Sequence, residues 1–335
     1  MRNKIQSQNF KVLVVAFENW LSALAKSSST VQHYPLALIE YFEYLEAEHN
    51  IKHINRVEKK HSTMFKQHLQ LRINKSRLIG GIHNQTINCI IKALNSFNRF
   101  MSEYSETLKY GITEKYFPVE HAEKIVLTEQ EIEELFEVTY EQYPNSKSQL
   151  PFGQRDRVIL HLLYSMGIRA KEASLIDLSD VDFTNNRILV RNGKGGKQRY
   201  VPTTFRVMDE IRSYIENGRY YFMESHENQL CWKRIVKKKM DRKDENALLL
   251  NVFGKRLRTF DKRLKYLGSK TSITKNVTCH VLRHTLGTHL YQKGMKLNRI
   301  QLILGHSSQD TTMIYVHIAK RLDEMNFDDD YNEAV

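Results

Sequence analysis

Apolar residues recur at three- and four-residue steps through the first third of the chain. That spacing predicts helices over Val12 to Leu24, Thr30 to Glu48, about Val57 to Ile73 and about Gln85 to Tyr104. The fourth carries the clearest signal. Ile87, Ile90, Ile91, Leu94, Phe97, Phe100 and Met101 form one face that must be covered, and Asn88, Lys92, Asn95 and Arg99 form the other. Ser29 and Thr30 read as N-caps of the second helix, and Gly80-Gly81 punctuates the approach to the fourth. Together these elements predict a helical bundle.

The apolar period is lost between Ser105 and Ile125, where Gly111 and Pro118 fall, and Thr128-Glu-Gln-Glu131 then reads as a capping box opening a new helix. A linker over 111–125 therefore divides a helical domain, 1–110, from a second domain, 126–320, followed by an acidic tail, 321–335. The second domain resumes as a helix from Gln154 to Tyr164, stopped near Gly167, with another starting at Arg169 and running through Leu175. Arg187 to Val190 and Gln198 to Val201 read as the two strands of a hairpin with Lys194 at its tip. After Pro202 the pattern is helical again, broken by a turn at Asn251 to Gly254, and it ends in helices over His280 to Gln292, Asn298 to Leu304 and roughly Gln309 to Lys320. The fold class expected is mainly α with a small antiparallel β-sheet (α+β).

Composition adds a partner class. A chain that is 41% hydrophobic and 27% charged is of ordinary globular type, and its formal net charge of +13 suggests a polyanion, because Lys and Arg displace counterions condensed on phosphates. Residues 232–275 concentrate the excess, with fifteen Lys or Arg against four Asp or Glu. Lys237, Lys238, Lys239, Lys255 and Arg256 are its candidate DNA contacts, and a solvated basic face is the structural alternative. Cys89, Cys231 and Cys279 lack any CxxC spacing, so neither a disulfide framework nor a zinc site is expected. No cleavage site or membrane-length apolar stretch is present, and a cytoplasmic, nucleoid-associated location of bacterial type is expected.

Five motifs carry candidate chemistry: Gly167-Ile-Arg169-Ala-Lys-Glu172, Gly193-Lys194-Gly-Gly-Lys-Gln-Arg199, His280-Val-Leu-Arg283-His284, Leu304-Gly-His306, and Tyr315. On a helix, His280, Arg283 and His284 share one face. The two histidines have the spacing of a zinc protease pair, but Val281 stands where that chemistry needs a general-base Glu. Singly, each residue has a structural reading: Tyr315 lies among Met313, Ile314 and Val316 and fits a core position, and a lone His is usually a hydrogen-bonder.

In this order the motifs resemble the tyrosine recombinases, or phage-type integrases, fully across the second domain and more loosely across the first. The resemblance implies an Xer-like layout: a helical core-binding domain that clamps DNA and a catalytic domain, without an arm-binding domain. It implies that Tyr315 attacks a DNA phosphate, forming a 3′-phosphotyrosyl link and releasing a 5′-hydroxyl. Arg169 and Arg283 would hold the phosphate, Lys194 would protonate the leaving oxygen, His280 would accept the tyrosine proton, and His306 would donate a hydrogen bond. Lys197 competes for the general-acid role, while Lys197 and Arg199 otherwise contact DNA or solvate the turn. His284 reads as structural and Glu172 as a support for a basic neighbour. No metal, nucleotide or other cofactor is implied: the motifs include neither a carboxylate cluster nor a Walker-type loop. The implied partners are double-stranded DNA and a homotetramer, or a related recombinase, on two duplexes, with accessory DNA-bending proteins as further candidates. A type IB topoisomerase shares the same catalytic groups, and a non-catalytic DNA-binding protein is the third alternative.

Overall fold

The computed structural model describes residues 5–72, 82–104, 114–119, 124–141, 150–191, 198–228, 246–305, 312–316 and 318. Two compact units divide the chain, Met1–Ala122 and Glu123–Val335. The described part is mainly helical with one small antiparallel sheet.

Four helices make the first unit: α1 (Gln8–Ala23), α2 (Ser28–His49), α3 (Lys59–Leu71) and α4 (Asn84–Tyr104), with a single 3₁₀ turn at Ile54–Arg56. Their starts differ from the sequence expectation because polar residues settle helix ends and the apolar period does not reach them. The Ser7 hydroxyl accepts from the Phe10 N–H at 3.3 Å, so α1 opens before its first apolar residue. Ser27 caps α2 by accepting from the Thr30 N–H at 3.2 Å, which places Ser29 and Thr30 inside the first turn and corrects their reading as caps. The buried face of α4 carries Ile87, Ile91, Leu94, Phe97, Phe100 and Met101 as expected, with Ile90 at its margin. It meets an aromatic core in which Phe10 stacks on Phe42 at 4.1 Å and Phe17 meets Phe97 edge-on at 5.4 Å. Burying each such ring contributes about 1.5–3 kcal/mol.

Asn88 and Asn95, on the polar face of α4, act as surrogate backbone. Asn88 donates to the Phe117 carbonyl at 2.9 Å and accepts from the Phe117 N–H at 2.8 Å. Asn95 treats Glu114 in the same way, at 3.0 and 2.9 Å. The segment 114–119 is thus paired as a strand would be. The buried Glu114 carboxylate accepts from the Ser62 hydroxyl at 2.6 Å and pairs with Lys66 at 3.1 Å.

The second unit opens with the expected capping box: the Thr128 N–H reaches Glu131 at 2.7 Å and the Glu131 N–H reaches Thr128 at 3.1 Å, starting α5 (Glu129–Glu141). Helix α6 (Leu150–Leu160) begins earlier than its apolar period suggested, since Pro151 is tolerated in a first turn. It passes into a π turn, His161–Ser165, and stops at Gly167, whose φ of 61° lies in the left-handed region. The short α7 (Ala170–Ala173) follows. Strands β1 (Val181–Asp182), β2 (Arg187–Val190) and β3 (Arg199–Pro202) form the sheet in that order, with Ile188 opposite Val181 on one side and Val201 on the other. The sequence reading missed β1, because two residues cannot display a period. Helices α8 (Phe205–Ser213), α9 (Arg219–Asn228), α10 (Asp261–Gly268), α11 (Cys279–Gln292) and α12 (Leu297–Leu304) complete the unit, with a helical turn at 312–316. Among the described residues no helix is long and apolar enough to cross a membrane.

Candidate active site

Helix α11 is the platform. Thr278 caps it by accepting from the Val281 N–H at 3.2 Å, and Leu282, Leu286 and Thr288 anchor its inner side. Thr285 accepts from the Leu127 N–H at 3.1 Å and His289 meets the Leu127 carbonyl at 2.9 Å, so the segment entering the unit is fastened to the same helix. These contacts fix the direction in which Arg283 leaves the helix.

The Arg283 guanidinium is buried and donates to the carbonyls of Gly167 and Leu304. Both acceptors lie where a helical segment stops: Gly167 follows the π turn after α6, and Leu304 is the last residue of α12. Helix termini leave carbonyls without intrahelical partners, and a guanidinium satisfies them. Gly305, with φ of 62°, ends α12 and turns its own carbonyl to Arg169, which donates to it at 2.8 Å. Arg169 is also held by Glu172, at 2.8 Å to the side chain and 3.2 Å from the backbone N–H. Arg283 therefore spans two chain reversals far apart in sequence, and Arg169 shares the second of them through Gly305.

Tyr315 is fully buried beside them. Its ring lies over Gly287 of α11, where an added Cβ would meet ring atoms at 2.5 to 2.7 Å, and its centroid is 5.9 Å from that of His284. Burial pushes the phenol upward in pKa, while Arg283 and Arg169 pull against that rise. Burial pushes Arg283 itself down to about 10, aided by Arg169, so it keeps its charge at neutral pH. His284 is driven down to about 4 by burial and then by Lys124, His280 and Arg283. Its Nδ1 is buried with no hydrogen-bond partner among the described residues. His280 projects from the same helix and is exposed.

The structure thus gathers Arg169, Arg283 and Tyr315, with His280 one turn from Arg283. Lys194, Lys197, His306, Lys237, Lys238 and Lys239 lie outside the described residues, as does the acidic tail. Arg199 differs from its sequence reading as a DNA contact or a solvated turn residue. Its guanidinium faces inward and grips both oxygens of Glu172, at 3.2 and 2.8 Å. Arg256 is likewise engaged internally, pairing with Asp177 and donating to the carbonyls of Ser174 and Ile176 at 3.3 Å. Nearby in the basic run, Arg263 pairs with the fully buried Asp156, and Lys275 with Glu131 at 2.8 Å. Part of that run's charge thus serves the fold. Lys255 is half-buried in the turn after Asn251. The sequence reading also passed over Gly287, although a glycine inside an otherwise regular helix is a usable sign of close approach.

A helical unit joined to one with a small sheet, in which two carbonyl-held arginines flank a buried tyrosine, defines a class with a known family model. Residues 125–321 match the model of the phage integrase family. The chain belongs to the phage integrase family. It is 34% identical over 251 residues to tyrosine recombinase XerC of Bacillus subtilis (strain 168), covering 72% of this chain and 73% of that protein. It is 35% identical over 179 residues to tyrosine recombinase XerC of Chlamydia muridarum (strain MoPn / Nigg), covering 53% of this chain and 51% of the relative. The chain spans about half the length of the curated chlamydial relatives it matches. In fold it resembles the XerH site-specific recombinase bound to palindromic difH substrate, in a post-cleavage complex. There the TM-score is 0.65 at 20% identity, over 97% of this chain and 90% of that one. It also resembles a lambda integrase tetramer bound to a Holliday junction, with a TM-score of 0.59 at 13% identity, over 93% of this chain and 78% of that one.

Proposed function

We propose that this protein is a site-specific tyrosine recombinase that cleaves and rejoins DNA through a 3′-phosphotyrosyl intermediate on Tyr315. One observation carries the reading: two guanidinium groups are held on backbone carbonyls, and a fully buried tyrosine packs its ring on the helix that carries one of them. The Tyr315 oxygen attacks phosphorus, the bond to the 5′ oxygen breaks, and that oxygen leaves protonated. Arg169 and Arg283 stabilise the charge gathering on the nonbridging oxygens; being fixed beforehand, they need no reorganisation as the reaction proceeds. Lys194 gives the leaving oxygen its proton, His280 receives the tyrosine proton, and His306 donates to the phosphate. The new ester is close in energy to the bond it replaces, so rejoining needs no external energy source.

Tyr315 is fully buried, so engagement of its hydroxyl by a phosphate requires the turn at 312–316 to shift. The substrate is double-stranded DNA, and the working form is a homotetramer on two duplexes. Residues 111–125 serve as the linker and 321–335 as a contact between protomers. The place of action is the cytoplasm, at the nucleoid.

Incubation with a nicked cognate duplex tests the chemistry. The expected result is a denaturation-resistant protein–DNA adduct that Tyr315→Phe abolishes; an adduct that persists in the variant overturns the assignment. Lys194→Ala should slow cleavage, and a 5′-bridging sulfur, whose departure needs no proton, should restore it. A plasmid assay yielding relaxation without recombination would replace this reading with that of a topoisomerase.

A further inference from the structure

Glu172 stands at the centre of a charge arrangement that the proposed roles of Arg169 and Arg283 leave unexplained. The residue is 5% exposed, and its carboxylate accepts from the Arg169 guanidinium through one oxygen and from the Arg169 backbone N–H through the other, while the Arg199 guanidinium bridges both. A carboxylate so close to a phosphate-binding arginine has a chemical cost. Left to itself it would draw Arg169 into a two-point pair, the geometry that carboxylates and guanidinium groups prefer, and Arg169 would present less charge to a phosphate.

Arg199 occupies the position that prevents this. It stands on β3, opposite Val190, and lies flat on the bare Cα of Gly305, where an added Cβ would meet its Cζ at 2.7 Å and its Nε at 2.8 Å. The carbonyl of that same glycine holds Arg169. Burial alone would raise the Glu172 carboxyl in pKa, but Arg199 first and Arg169 second hold it below its ordinary value. Among the described residues Arg169 uses two donors, one on Glu172 and one on Gly305, out of the five a guanidinium offers.

We propose that Arg199 is a positioning residue that neutralises Glu172, so that Glu172 orients Arg169 without consuming its charge. The three guanidinium groups of Arg169, Arg199 and Arg283 and the one carboxylate of Glu172 then sum to a net double positive charge in this described cluster. That matches a transition state in which the phosphate carries its own negative charge plus the one brought by the tyrosine oxygen. The inference rests on the reading of Arg169 as a phosphate-binding group.

The test is single-turnover adduct formation on a nicked duplex by the full chain, with rate and DNA affinity measured separately. Arg199→Gln is expected to slow adduct formation at saturating DNA by on the order of 10- to 100-fold, as displacement of a catalytic group does, with little change in affinity. Glu172→Gln combined with Arg199→Gln is expected to recover much of that loss, because the competing carboxylate is gone. A role in folding alone would not produce this recovery.

A double variant no faster than Arg199→Gln overturns the inference. So does an affinity loss with a salt dependence weakened by about one phosphate contact, which would make Arg199 a DNA ligand. Should Arg199→Gln melt below the assay temperature, Arg199→Lys serves, keeping the charge but not the two-point grip. It is expected to be slower than wild type at unchanged affinity, and wild-type speed would count against the proposal. Absence of any Tyr315-dependent adduct with wild type is a separate result, and it would overturn the recombinase reading together with this one.

Discussion

His284 and His161 are kept neutral by burial, each pushed down to about 4, and neither has a carboxylate within hydrogen-bonding distance among the described residues. The unfolded chain takes up these protons near 6.5 and the folded chain resists until about 4. Their contribution to stability is therefore complete above pH 6.5 and is lost as the pH falls toward 4, by at most about 3 kcal/mol per site. His161→Gln should flatten the acid limb of a plot of urea midpoint against pH; an unchanged limb would place the titration elsewhere. Gly287 permits a second prediction. Alanine normally stabilises a helix relative to glycine by about 1 kcal/mol, but here the new methyl strikes the Tyr315 ring. Gly287→Ala should cost about 1–3 kcal/mol and slow adduct formation while DNA affinity holds, and a stabilised, fully active variant would refute the packing argument. The sequence announced Tyr315, Arg169 and Arg283 through motif order alone. It could not show that Arg199 faces inward, because the direction of a side chain on a short strand depends on what packs against it.

At the scale of elements, polar side chains decide where helices begin and what they carry. Asn88 and Asn95 were legible as the polar face of α4, yet nothing in their spacing indicated that each would pair with an extended segment as a backbone unit does. Asn95→Ala leaves the N–H and carbonyl of Glu114 without these bonds, and it should lower the stability of the first unit by about 1–3 kcal/mol in urea unfolding. No change would mean that solvent replaces the amide at no cost. Arg263 and Asp156 make a similar point within the basic run. Arg263→Ala removes the two-point partner of a fully buried carboxylate and leaves it, among the described residues, only Arg155, at 3.9 Å, so it should cost about 1–3 kcal/mol, more than loss of a surface cation. A change of a few tenths would return Arg263 to the surface pool.

For the molecule as a whole, the excess of cations predicts DNA affinity that falls steeply as salt rises. Neutralising Lys237, Lys238 and Lys239 together should reduce the slope of log affinity against log salt by up to about 3, whereas Arg256→Gln should leave the slope unchanged and lower stability, given its pairing with Asp177. Equal slopes for the two variants would show that the sequence run does not distinguish DNA contacts from internal pairs.

The amino-acid sequence by itself determined the helical bundle, the capping box at Thr128, the hairpin strands and the membership of the motif residues in one family. These are local matters, written in spacing and in side-chain chemistry. The tertiary structure alone decided that Arg169 and Arg283 rest on carbonyls at Gly167, Leu304 and Gly305, and that Arg199 turns to Glu172. The reason is that backbone carbonyls are identical in every residue. Which of them lack a partner, and which guanidinium reaches them, is settled only when chain ends distant in sequence are packed together.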